Sequence, residues 1–250
     1  MQDAEKHERP VLEVIVSSLA DAVESERGGA DRLEVVRDLD CGGLTPDITL
    51  VRAIRRAVSL PLRVMLRENE DDSIRGDDAP LRAAALECQQ IGVDGVVIGF
   101  LRNGNADLER TLEILDAVPR MKATFHHAFD ETASPLNAIA HLKRCGRFDR
   151  ILSSGGPGEL LVRATRLELY RRNALQGIRV MAGGGLDEAA ICFLRAHTRI
   201  CEFHAGRAVR SPQDNNGVVQ AARVEQLRQL LSEDRLSALQ SDSYRGSPDE

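Results

Sequence analysis

Tryptophan is absent from this chain, and aromatic residues make up only 3% of it. Any core must therefore be filled by aliphatic side chains. Positive charge is not in excess: the net charge is −6. That argues against nucleic acid or an anionic membrane as partner, since both need a basic face. No apolar run approaches the roughly 18 residues of a membrane span, and the segment Met1–Pro10 is charged without an apolar centre. Neither a signal peptide nor a transmembrane helix is expected. The five cysteines, Cys41, Cys88, Cys145, Cys192 and Cys201, are odd in number, widely spaced and contain no CxxC pair. A zinc cluster or a disulfide framework is not expected, and the pattern suits a reducing, cytoplasmic location.

What the chain does have is alternation. Its 250 residues, 42% of them hydrophobic, suffice for one large core. Apolar runs with strand character at Val11–Ser17, Asp31–Val36, Leu60–Leu66, Asp94–Phe100, Met121–His126, Phe148–Leu152, Ile178–Ala182 and Ile200–Phe203 are separated by helical patterns. The helices are predicted over 19–27, 46–58, 81–91, 107–117, 135–145, 159–172, 187–196 and 218–231, with Pro46 opening the second and Ser134 capping the fifth. Strand followed by helix, eight times over, predicts an α/β fold: a single-domain (β/α)8 TIM-type barrel with a parallel sheet and an aliphatic interior. Residues 11–235 would form the barrel, 1–10 a flexible arm and 236–250 a disordered tail rich in Ser and Asp. The acidic stretch 68–78 is expected as a solvated loop, with a lid over the site as the alternative.

In such a barrel the site lies at the C-terminal ends of the strands. Residues two apart on a strand share a face. Glu13 pairs in this way with Ile15, Arg32 with Glu34, Arg63 with Met65 and Arg67, Thr124 with His126, and Glu202 with His204. Turned inward, these sets form a mutually paired network of charges, because isolated buried charges are prohibitively costly. The stretch Thr124–Asp130 is the densest cluster. His126 is the first choice for general acid/base, with Glu13, Glu34, Asp130, Glu202 and His204 as further catalytic candidates. Arg67 suits an anion through its planar fork. The turns carrying Ser154, Gly155 and Gly156 and then Gly183 and Gly184 follow neighbouring strands, where exposed N–H groups can cradle an anion or form plain tight turns. Metal candidates are His126, His204 and Met65, although no preformed copper site is visible and His126 and His127 alternate in direction.

Several stretches resemble the CutC copper-homeostasis proteins. They are Leu12-Glu13-Val14, Gly28–Glu34, Gly42-Gly43-Leu44-Thr45-Pro46, Arg63–Arg67, Gly92–Val97, Thr124–Asp130, Ile151–Gly155, Met181–Gly185 and Glu202-Phe203-His204. The resemblance spans Leu12 to Ala205 and implies a TIM-type barrel, a cytoplasmic location, a homodimer and an association with copper. It carries the family's motif positions onto Glu13, Glu34, Arg67, His126, Asp130 and His204. The family's cysteines on the first two strands are Ile15 and Val36 here, its arginine after the first histidine is His127, and the acidic loop lacks its aromatic and cysteine-containing segment. Two functions are thus expected: copper binding, or a lyase, isomerase or aldolase-like enzyme that handles a small anionic metabolite with His126 as acid/base. A scaffold without chemistry is the third.

Overall fold

The structure, a computed structural model, describes residues 9–233. The expected tail and all but the last two residues of the expected arm lie outside that range. Eight strands close into one parallel barrel: β1 (Val11–Val16), β2 (Arg32–Val35), β3 (Leu62–Met65), β4 (Gly95–Val97), β5 (Lys122–Phe125), β6 (Phe148–Ser153), β7 (Arg179–Ala182) and β8 (Glu202–Ala205). Each strand pairs with its neighbours in sequence, and β8 closes against β1 with Glu13 opposite His204. The barrel expected from the βα alternation is the fold.

The connecting helices are α1 (Leu19–Arg27), α2 (Ile48–Ala57), α3 (Ala79–Ile91), α4 (Leu108–Leu115), α5 (Pro135–Cys145), α6 (Leu160–Ala174), α7 (Glu188–His197) and α8 (Ala221–Ser232). Four begin with a side chain accepting a backbone N–H two or three residues on: Ser18, Asp47, Asp107 and Asp187. Each satisfies one of the donors a helix start leaves open. Alternate strand residues such as Leu12, Val14, Leu33, Val35, Leu62 and Val64 join Ile54, Leu81, Ile114 and Leu142 in the aliphatic layer between barrel and helices. The other faces of the strands point inward and carry the charges.

Some boundaries differ from expectation for visible reasons. The second helix starts at Ile48, because Asp47 accepts the Thr49 N–H at 2.7 Å. Ser134 occupies the cap position of α5 without a capping hydrogen bond. The final helix starts at Ala221, since Val218–Val219 pairs antiparallel with Arg210–Ser211. The eighth strand begins at Glu202, because Ile200 is held in the preceding turn by Thr198 Oγ1.

A buried arginine fastens the closing seam. Arg210 donates to Asp21 Oδ2 at 3.2 Å, to Ile15 O at 2.8 Å and to Gly217 O at 2.8 Å, while Asp21 Oδ1 accepts the Val219 N–H at 3.0 Å. Lower on the same seam, Arg228 of α8 reaches Asp31 Oδ2 at 3.1 Å and Pro10 O at 2.8 Å.

Candidate active site at the barrel mouth

The inward-facing charges are paired in tiers. Near the floor, Arg63 grips Asp149 with two N–H groups at 2.6 and 3.1 Å. Glu202 Oε2 accepts from Arg150 and from Arg32, both at 2.7 Å, and Arg32 Nε reaches Glu13 Oε2 at 2.5 Å. Burial alone would lower the Arg32 pKa, but its two carboxylate partners outweigh it and raise it. Glu202 is thus committed to Arg32 and Arg150 below the mouth, with Arg179 Nε 3.7 Å from its other oxygen.

One tier higher, His204 Nδ1 lies 2.9 Å from Glu13 Oε1 and 3.4 Å from Glu34 Oε2. One donor atom from each of these three residues falls within 4.8 Å of the others. Burial pushes the Glu13 carboxyl up, but the charges and hydrogen bonds of Arg32 and His204 pull it well below the usual carboxylate range. Among the described residues, no arginine pairs with Glu34. Burial, helped by repulsion from Glu13 and opposed by His204, pushes it up to about 7. His204 responds in kind: burial disfavours its charge, yet the hydrogen bond to Glu13 and the fields of both glutamates raise its pKa. Glu34 Oε1, like Glu202 Oε1 below it, is buried with no hydrogen-bond partner among the described residues. Above this tier Ile15, Val36, Met65 and Val97 form a small apolar cluster. No thiol belongs to the Glu13, Glu34 and His204 group, and among the described residues that is the set of His, Cys, Asp or Glu donors close enough to share an ion.

His126 sits elsewhere. It is 4% exposed, accepts the Ala128 N–H at Nδ1 (3.1 Å), and turns Nε2 toward Asp72 Oδ1 at 3.7 Å. Burial, with the nearby charges of Arg67 and His127, lowers its pKa to about 3, so it is neutral at physiological pH. Asp72 belongs to the acidic loop, and its burial pushes it up to about 6. Arg67 donates to Asp72 Oδ1 at 2.8 Å and to the carbonyls of Cys41, Gly43 and Glu70. Its fork is thereby spent on fixing loops. The loop expected to be solvated is pinned at two points, by Asp72 here and by Asp78. The Asp78 carboxylate accepts from Arg110 Nη2 at 2.7 Å, and that guanidinium lies 3.7 Å from the Phe100 ring centroid.

The open part of the mouth is a cleft of about 460 Å³ bordered by Ile15, His127, Gly184, Gly185, His204 and Arg207. His127 enters it because β5 ends at Phe125 and the chain turns into a 3-10 helix at His127–Glu131, which breaks strand alternation. Asp130 Oδ2 accepts from His127 Nδ1 at 3.1 Å. The same carboxylate takes the Ser154 N–H and hydroxyl at 2.8 Å each, and the Ser153 hydroxyl at 2.5 Å. Burial would raise Asp130, yet these hydrogen bonds and the His127 charge hold it low. With Nδ1 directed at Asp130, His127 turns its Nε2 edge toward the Gly183–Gly184 turn.

The two glycine turns differ. The Gly155 and Gly156 N–H groups are consumed by the hydroxyls of Ser153 and Ser154, and Ser154 itself is held by Asp130. The Gly183 N–H goes to Ser153 O. Gly184 and Gly185, both at positive φ, border the cleft with N–H groups that have no partner among the described residues. Arg207 stands at that edge, exposed and without an ion pair among the described residues. Asp187 also borders the cleft, its Oδ1 turned to the Ala190 N–H at 2.8 Å.

The structure therefore brings together Glu13, Glu34 and His204 in one tier and Asp130 with Ser154 in another, and leaves His126 and Arg67 under the acidic loop. Strand parity did not point to His127, Arg207 or Asp72 as site residues. His127 and Arg207 lie just past the ends of β5 and β8, and only the adjacency of His127 to His126 offered a signal. No helix among the described residues is long and apolar enough to cross a membrane.

The model of the CutC family matches residues 10–209. The family protein CutC of Xanthomonas axonopodis pv. citri is 34% identical over 197 residues, covering 78% of this chain and 82% of the relative. The human copper homeostasis protein cutC homolog is 32% identical over 212 residues, covering 82% and 75%. Among solved structures, the putative copper homeostasis protein CutC from Streptococcus agalactiae superposes with a TM-score of 0.73 at 21% identity, over 79% of this chain and 98% of that one. A thiamine phosphate pyrophosphorylase from Pyrococcus furiosus shares the fold alone, with a TM-score of 0.57 at 14% identity over 89% and 96% of the two chains.

Proposed function

The chain belongs to the CutC family, and from that premise we propose that its mouth is the site of an enzyme, a lyase or isomerase, that moves a proton on a small anionic metabolite. One observation carries this reading. Asp130 holds His127 at Nδ1 and leaves its Nε2 on the side of Gly183 at the open cleft, whose border also carries Gly184 and Gly185, with N–H groups unpartnered among the described residues, and Arg207, with no ion pair among them. Oriented N–H groups and a guanidinium are the ordinary means of holding a phosphate or carboxylate. A histidine fixed by a carboxylate can then accept a proton from the bound molecule. His127 thus takes the acid/base part that the residue pattern gave to His126. That part belongs to this chain, because the family resemblance puts an arginine at the position.

Copper enters through the names of the relatives. Cu⁺ prefers thiolate and thioether donors. The positions of the expected thiols are the apolar Ile15 and Val36, and Met65 is packed between them and Val97. The residues present do not fit a Cu⁺ cage, and no step is assigned to it.

The test is calorimetric titration of the purified protein with inorganic phosphate and with a panel of small phosphorylated and carboxylated metabolites. Millimolar or tighter binding that weakens about tenfold in Arg207→Ala supports the reading. So does His127→Asn, if it keeps binding and loses turnover of the metabolite so found. Binding equal in wild type and Arg207→Ala, or none at all, overturns it.

A further inference from the structure

Glu34 is the anomaly of the barrel interior. Every other charged side chain of its tier or the one below has a matched partner: Glu13 and Glu202 have Arg32, and Arg63 has Asp149. Glu34 is 1% exposed, its Oε1 has no hydrogen-bond partner among the described residues, and the group within ion-pairing distance of it is the His204 ring at 3.4 Å, with Arg32 acting from farther off. A buried carboxylate with an orphaned oxygen costs folding free energy unless something cationic satisfies it.

The geometry points to a divalent cation. We propose that Glu13 Oε1, a Glu34 carboxylate oxygen and His204 Nδ1 are three ligands of one Mn²⁺- or Zn²⁺-class ion. A metal with bonds of about 2.0–2.2 Å holds adjacent donors roughly 3.0–3.5 Å apart. The His204–Glu34 distance, 3.4 Å, falls in that range, and the His204–Glu13 distance, 2.9 Å, lies just below it. Arg32 takes the other oxygen of Glu13, so that residue presents one oxygen to the site in a fixed orientation. Two carboxylates and an imidazole form a hard-to-borderline donor set, which suits Mn²⁺, Fe²⁺ or Zn²⁺ and not Cu⁺. His204 borders the cleft, so the remaining positions of the ion face the space assigned to the anion.

This inference does not rest on the anion reading. The metal is titrated alone, and its failure would leave the Arg207 test untouched. Full-length protein, stripped with chelator, is titrated with MnCl₂ and separately with ZnCl₂ by calorimetry near neutral pH. Mn²⁺ is the stricter probe, since surface histidines and thiols compete for Zn²⁺. The expected result is one equivalent of Mn²⁺, with affinity falling at least tenfold in Glu34→Gln. That variant should fold at least as well as wild type without metal, because a neutral isostere replaces an uncompensated buried acid. In the unsubstituted protein, Mn²⁺ should broaden the NMR signals of the His204 ring and spare those of His141 on α5. Stoichiometric binding that persists in Glu34→Gln, broadening that misses His204, or the lack of a stoichiometric site would each overturn the proposal.

Discussion

Arg32 donates from Nε to Glu13 Oε2 at 2.5 Å across the β1–β2 pair, out of reach of solvent, and its Nη2 reaches on to Glu202 at 2.7 Å. One guanidinium thereby neutralises acids from two strands. Arg32→Met leaves both carboxylates buried without it, a change expected to cost about 3–5 kcal/mol. Urea denaturation at pH 7.5 reads this directly. Part of the loss should return toward pH 5, because carboxyls freed of their cation protonate more readily.

The acid limb of stability should carry a signature of His126. Its folded pKa, about 3, lies below the ordinary 6.5. Between those values the unfolded chain binds a proton that the folded chain refuses. The contribution is therefore complete above pH 6.5 and falls by up to about 1.4 kcal/mol per pH unit as the medium is acidified. Asp72, raised to about 6, acts in the opposite direction over part of the range. The comparison must accordingly be between wild type and His126→Asn, which keeps an acceptor for the Ala128 N–H. The variant's acid limb should be flatter, and equal slopes would refute the burial-driven shift.

Asp78 and Arg110 bury their pair, whereas Arg75 and Glu113, joined at 3.1 Å, remain exposed. Asp78→Ala should cost about 3 kcal/mol or more and open the 68–78 loop to limited proteolysis. Glu113→Ala should cost less than about 1 kcal/mol and leave the cleavage pattern unchanged. Equal sensitivity of the two variants would mean the loop is not held by burial.

Gly155 and Gly92 share left-handed backbone, at φ +80 and +82, but not surroundings. An alanine Cβ at Gly155 would meet Arg163 O at 2.5 Å, while at Gly92 nothing lies within 4 Å. Gly92→Ala should cost about 1–2 kcal/mol from backbone strain alone. Gly155→Ala should cost clearly more, as the start of α6 must move. Thermal midpoints of the two variants check the order.

Much of the fold could be read from the residues, because a barrel strand is a short apolar run bounded by turns and eight of them recur. Strand parity also located Glu13, Arg32, Glu34, Glu202 and His204, whose side chains do face inward and pair. Parity ceased to inform where the strand stopped. One residue beyond β5 the chain enters a 3-10 turn, so His127 goes to the cleft while His126 goes under a loop. Arg207 lies in a loop with no period at all. Within the acidic run nothing in residue type distinguishes Asp72 and Asp78, which are buried, from their exposed neighbours. That choice is made by Arg67 and Arg110, which are distant in sequence from one another.

The Arg210 clasp sets an order of events. Its partners Asp21 and Ile15 are 189 and 195 positions away along the chain, so the ring cannot shut until nearly all eight modules exist. A polypeptide emerging from a ribosome would carry an open, curved sheet whose β1 edge waits, unpaired, for β8. Such edges invite pairing with other chains, and contacts of this span form slowly. The period before the clasp is made is thus when the open β1 edge is most exposed to pairing with other chains.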